Sequence, residues 1–76
     1  MMSTTDVDRL IAETLEIPVP RVTPDLAYGS VAEWDSMNHV NLMLALEERL
    51  GTEIDADLMI ELTTVAAIRA YVEASS

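Results

Sequence analysis

The sequence predicts an all-α fold, a four-helix bundle with a long loop between helices 1 and 2 and a short third helix. Three observations point there. Apolar residues recur with the roughly 3.6-residue period of an amphipathic helix in three separate segments. Strand-like alternation is absent, and helix stop signals fall where the periods end. With 76 residues, the chain has room for a single domain spanning residues 1–76.

The first helix is marked by Val7, Leu10, Ile11, Thr14 and Leu15 at i, i+3, i+4, i+7 and i+8. Ser3 and Thr5, each followed three residues later by Asp, are candidate caps for its start. Pro18 stops it, because the residue before a proline avoids helical geometry. From Ile17 to Trp34 no period is sustained, and Pro18, Pro20, Pro24 and Gly29 punctuate the stretch. Loops of this length in a small domain are uncommon. Val22, Leu26, Tyr28, Val31 and Trp34 supply apolar anchors, so an ordered loop is expected.

A second helix is expected from about Ser36 to Leu50, with Asp35 as its N-cap and Gly51 as its stop. On a helical wheel Leu42, Met43, Leu46 and Leu50 share a core face, with His39 among them. Met37, Val40 and Leu44 form a second stripe, which is either part of a broad buried face or an exposed patch for partners. A short third helix is expected near Ala56–Glu61, capped by Asp55. A fourth runs from about Thr64 to Glu73, capped by Thr63 or Thr64, with Val65, Ile68 and Val72 facing inward.

Charge limits the possible functions. Fourteen acids against four Arg and no Lys give a formal net charge of −10. Nucleic acid and anionic membranes are excluded as expected partners, since phosphate binding needs basic side chains that release counterions. The acidic surface fits proteins with basic patches instead. No apolar run approaches the roughly 20 residues of a membrane span, and the N-terminal segment from Met1 to Asp6 lacks the form of a signal peptide. A soluble, cytoplasmic, monomeric and free-standing protein is expected.

The inventory for catalysis is thin. With one His, no Cys and no Lys, few groups can act as acid, base or nucleophile. Asp35, Ser36 and His39 do not make a triad, because neighbours on one helix start cannot place the base on the nucleophile and the acid behind the base. Asp55-Ala56-Asp57 lacks the glycine and alternating oxygen ligands of a calcium loop, and no cysteine is present to ligate zinc. The chain is not expected to be an enzyme.

Trp34-Asp35-Ser36-Met37, followed by His39-Val40 and Leu42-Met43-Leu44-Ala45-Leu46-Glu47-Glu48, resembles the Asp-Ser-Leu signature of acyl carrier proteins and the helix after it. Ile54-Asp55-Ala56-Asp57 and Leu62-Thr63-Thr64-Val65 resemble the approaches to that family's third and fourth helices. The resemblance implies a carrier that holds acyl or aminoacyl intermediates as thioesters on a 4'-phosphopantetheine arm, delivered from coenzyme A by a phosphopantetheinyl transferase. It makes Ser36 the attachment site and Asp35 a residue read by the transferase. It makes Met37, Val40 and Leu44 apolar contacts for partner enzymes. Glu47, Glu48, Asp55, Asp57 and Glu61 become the acidic contacts for basic patches on an acyl- or aminoacyl-loading enzyme and on downstream biosynthetic enzymes.

Several positions depart from the fatty-acid type. Met37 replaces the usual Leu, a volume-conserving change, and Asn38 and Asn41 stand where acids are common. Trp34 and His39-Val40 look more like carriers of specialised pathways. Two alternatives stand beside this reading: an aminoacyl or peptidyl carrier loaded by a dedicated adenylating enzyme, and an unmodified acidic interaction module.

Overall fold

A computed structural model describes residues 2–75; Met1, which begins the N-terminal segment considered above, and Ser76 lie outside the described residues. The chain forms α1 (Thr4–Leu15), a 3-10 turn (Val19–Arg21), α2 (Ser36–Leu50), α3 (Ala56–Glu61) and α4 (Val65–Ser75). This is the expected all-α arrangement, with α1 packed against both α2 and α4.

Local chemistry accounts for each helix start. Ser3 accepts from the Asp6 N–H at 3.2 Å while Asp6 accepts from the Ser3 N–H at 3.1 Å, a reciprocal cap that settles the choice between Ser3 and Thr5. Asp35 caps α2 by accepting from the Asn38 N–H at 2.9 Å. Asp55 caps α3 through the Leu58 N–H at 2.8 Å. Thr64 accepts from the Ala67 N–H at 3.0 Å, so α4 begins one residue after its cap.

The helix ends differ. α2 closes on Gly51, whose φ of 67° lies in the left-handed region that glycine enters without a Cβ clash. α1 closes on Glu16, which takes the same conformation at φ 57° without that freedom.

The long loop is ordered by three kinds of contact. Trp34 is fully buried, and Val22 and Leu26 join it in the core. The Tyr28 N–H donates to the Thr63 carbonyl at 2.8 Å and the Val65 N–H to the Leu26 carbonyl at 3.0 Å. These bonds flank an isolated antiparallel bridge between Ala27 and Thr64, stitching the loop to the segment before α4. Within the loop the Ser30 hydroxyl donates to the Ala27 carbonyl at 2.6 Å and accepts from the Ala27 N–H at 3.1 Å. Tyr28 departs from its expected role as a core anchor: its side chain is partly exposed and stands edge-on to the His39 ring.

The core holds Val7, Leu10, Ile11 and Leu15 from α1, Leu42, Met43 and Leu46 from α2, and Val65, Ile68 and Val72 from α4. α3 contributes no fully buried side chain. Arg69 of α4 clasps Asp8 of α1 through paired bonds of 3.0 and 2.8 Å. Among the described residues no buried side-chain nitrogen or oxygen lacks a hydrogen-bond partner, as a native-like core requires.

Candidate functional site

Ser36 is the first residue of α2 and is exposed. The first amides of a helix have no acceptor within it. The Asp35 carboxylate engages one of them in α2, that of Asn38 at 2.9 Å, while its carbonyl accepts the first regular helical bond, from the His39 N–H at 2.9 Å. The amides of Ser36 and Met37 have no such partner in the helix, and the positive end of the helix dipole lies beside them. Phosphate is tolerated in such a place.

The hydroxyls of the described serines differ in a way that singles out one of them. Ser3 caps α1, Ser30 closes the loop turn, and Ser75 donates to the Tyr71 carbonyl at 2.9 Å. Ser36 alone among the described serines makes no side-chain hydrogen bond within the protein. Its oxygen is both reachable and uncommitted.

Beside Ser36 opens a cleft of about 340 Å³ between α2, α3 and the loop. Tyr28, His39, Val40, Met59, Ile60 and Thr63 line it with Ser36. His39 is only 7% exposed. The Trp34 indole N–H donates to its Nδ1 at 3.1 Å, and its Nε2 lies 2.8 Å from the Met59 carbonyl. A carbonyl only accepts, so Nε2 carries the proton and donates it. Both ring nitrogens are therefore occupied away from Ser36, which removes His39 as a base for that hydroxyl.

The second stripe of α2 is the exposed alternative of the two considered. Met37 is 75% exposed, and Val40 and Leu44 continue the stripe at helical spacing. Ile60 of α3, 74% exposed, extends it, since Ile60 and Val40 line the same cleft. Of the acids expected to meet partners, Glu48, Asp55, Asp57 and Glu61 are exposed. Asp55 also caps α3. Glu47 is half-buried and accepts from the Ile54 N–H at 2.9 Å, so it braces the turn between α2 and α3. Asn38 donates to the Glu33 carbonyl at 2.7 Å, fixing the backbone ahead of Ser36.

Met59 lies at the cleft, whereas Met43, Leu46 and Leu62 are buried in the core. The sequence did not mark Tyr28, Ile60 and Thr63 as cleft residues. Ile60 carried a signal, being an apolar residue on a helix too short to bury two faces. Tyr28 and Thr63 arrive through the loop bridge, which no local pattern announces.

Among the described residues no group of three or more His, Cys, Asp or Glu is placed to hold a metal ion. No helix among them is long and apolar enough to cross a membrane. An uncommitted, exposed hydroxyl at a helix head beside an apolar cleft is open to modification by another protein. The comparisons agree. Residues 5–72 match the family described as "Phosphopantetheine attachment site". The chain is 32% identical over 68 residues to the acyl carrier protein of Helicobacter pylori strain G27, covering 90% of this chain and 87% of that protein. With the acyl carrier protein of strain J99 the identity is 31% over the same shares. The chain belongs to the acyl carrier protein family. Members are carriers, not enzymes, and the family's cofactor is a covalently attached 4'-phosphopantetheine.

Proposed function

We propose that the chain is one carrier domain whose arm is attached at Ser36. The single observation that supports this most is the exposed Ser36 hydroxyl, without an internal partner, at the start of α2. In the modification, the Ser36 oxygen attacks the β-phosphorus of coenzyme A on the transferase. A new P–O bond forms, the pyrophosphate P–O bond breaks, and adenosine 3',5'-bisphosphate leaves. The hydroxyl proton passes to a base of the transferase, since His39 is engaged elsewhere. The arm supplies a terminal thiol for thioesters. This chain supplies the anchor, the amides of Ser36 and Met37 beside the phosphate, and the Asp35 cap that fixes the helix start. Asp35 is the residue the transferase reads, and a metal ion on that enzyme offsets its repulsion of phosphate.

The exposed stripe of Met37, Val40 and Leu44, extended by Ile60, is the docking face for loading and downstream enzymes. Its occupant carries Arg or Lys to meet Glu48, Asp55, Asp57 and Glu61 around the apolar centre. Asn38 and Asn41 leave the first turns of α2 without acids, which supports a role in a specialised pathway with a short, polar or aminoacyl unit. The working place is the cytoplasm and the working form a monomer.

Intact mass after incubation with coenzyme A and a broad-specificity phosphopantetheinyl transferase tests the assignment. A gain of one phosphopantetheine that is lost in Ser36→Ala is the expected result. An unchanged wild-type mass leaves the interaction module as the better reading, and a gain that persists in Ser36→Ala moves the arm elsewhere.

A further inference from the structure

The first turns of α1 and α2 are built differently. In α1 the third residue after the cap, Asp6, accepts from the N–H of the capping Ser3 at 3.1 Å. In α2 the residue at the same place is Asn38, and it reaches further back. Its Nδ2 donates to the Glu33 carbonyl at 2.7 Å, two residues ahead of the capping Asp35. A carbonyl only accepts, so the amide nitrogen of Asn38 must face Glu33. Its Oδ1 faces the Asn41 Nδ2 at 3.4 Å, which favours the same orientation.

Ser36 gains from this bridge. As the first residue of α2 its own N–H has no acceptor within the helix, and helix ends fray. Ahead of it, the peptide joining Glu33 to Trp34 is held twice, its N–H by the Val31 carbonyl at 3.2 Å and its carbonyl by Asn38. The following peptide is held by the Gly29 N–H, which donates to the Trp34 carbonyl at 3.0 Å. Asn38 ties the main chain of this approach to the body of α2, so the Asp35–Ser36 segment is held from both directions.

We infer that Asn38 is a positioning residue for attachment of the arm, its side-chain amide holding residues 33–35 so that the Ser36 oxygen meets the transferase in one geometry. With Ser36 as the attachment site, on which this rests, an acid at position 38 is harmful even though it adds charge beside a face that favours acids. A carboxylate there offers no proton to the Glu33 carbonyl and repels it. Misplacing a nucleophile by about 1 Å can slow its reaction on the order of 100-fold.

The test is single-turnover modification by a broad-specificity transferase in excess over the carrier, with saturating coenzyme A and intact mass as the readout. The maximal rate reports presentation of Ser36, and the half-saturating transferase concentration reports docking. A wild-type chain that gains no mass, or a Ser36→Ala chain that does, overturns the attachment reading and this inference with it. A wild type modified at Ser36 tests Asn38 alone. In Asn38→Asp and Asn38→Ala alike the maximal rate is expected to fall about tenfold, with the half-saturating concentration unchanged in Asn38→Ala and unchanged or lower in Asn38→Asp. Both variants keep the main-chain N–H that Asp35 caps, so the helix start survives. A wild-type maximal rate in either variant overturns the inference, whatever happens to its melting temperature. A change confined to the half-saturating concentration does the same, since it marks a contact with the transferase. Should Asn38→Asp not fold, Asn38→Ala carries the same expected result and the same grounds for rejection.

Discussion

Trp34 donates its indole N–H to Nδ1 of His39 at 3.1 Å, and this bond decides how the His39 ring is protonated. With Nδ1 accepting, the proton sits on Nε2 and reaches the Met59 carbonyl. One buried side chain thus links the loop, α2 and α3.

Nitrogen-15 correlation spectra of the His39 ring are expected to show the Nε2–H tautomer. His39→Ala leaves the indole N–H and the Met59 carbonyl unpaired beside a new void, at a cost of about 2–4 kcal/mol in urea unfolding. Emission from Trp34, the sole tryptophan, is expected to change with it. A loss below roughly 0.5 kcal/mol contradicts the bridging role.

Glu16 ends α1 at φ 57°. A side chain in that region costs about 1–2 kcal/mol relative to ordinary helical geometry, and glycine avoids most of it. Glu16→Gly is therefore expected to stabilise the protein by about 0.5–1 kcal/mol, after the greater flexibility of the unfolded glycine chain is subtracted. Glu16→Ala, which keeps the Cβ, is expected to show no such gain in the same thermal melts.

Arg69 and Asp8 join α4 to α1 through two parallel bonds, with 23% and 17% of their side chains exposed. Such a pair lies between surface ion pairs, of little worth, and buried ones, whose breaking is costly. Arg69→Ala is expected to lose about 1–3 kcal/mol. The double variant with Asp8→Ala is expected to lose less than the sum of the two single changes.

The Asp6 carboxyl is held below its ordinary value of 3.8, chiefly by the Ser3 backbone N–H and then by the Ser3 hydroxyl. A depressed folded value means that this contribution is present above pH 3.8 and fades as the pH falls through the folded value. Asp6→Ala is thus expected to lower the melting temperature by a constant amount well above pH 3.8 and by a shrinking amount below it. A difference independent of pH through that window contradicts the role given to the carboxylate.

Most of the helical architecture was legible in the sequence because its determinants are local. Asp35, Asp55 and Gly51 act within a turn of where they sit, and the apolar period of α1 needs no partner to be seen. α3 runs over Ala56–Glu61, the expected span. What escaped depends on distant pairings. Tyr28 reaches the cleft because its N–H meets Thr63 across the Ala27–Thr64 bridge. His39 could be placed on the core face, but neither of its partners could be named. The left-handed turn at Glu16 was invisible, because no glycine marks it. At the site, a serine after a capping aspartate is a common helix start, and family resemblance singled out Ser36 where position alone did not.

Ser36 shares its side of the molecule with Met37, Val40, Leu44 and Ile60, and this crowding has a consequence for traffic. A typical protein interface covers about 800 Å² on each partner, roughly a fifth of the 4469 Å² this protein exposes. With the arm rooted at Ser36, as proposed, two enzymes that both reach for its tip would overlap. Clients would then have to queue, each departing before the next arrives, and tight grip by any one of them would stall the line.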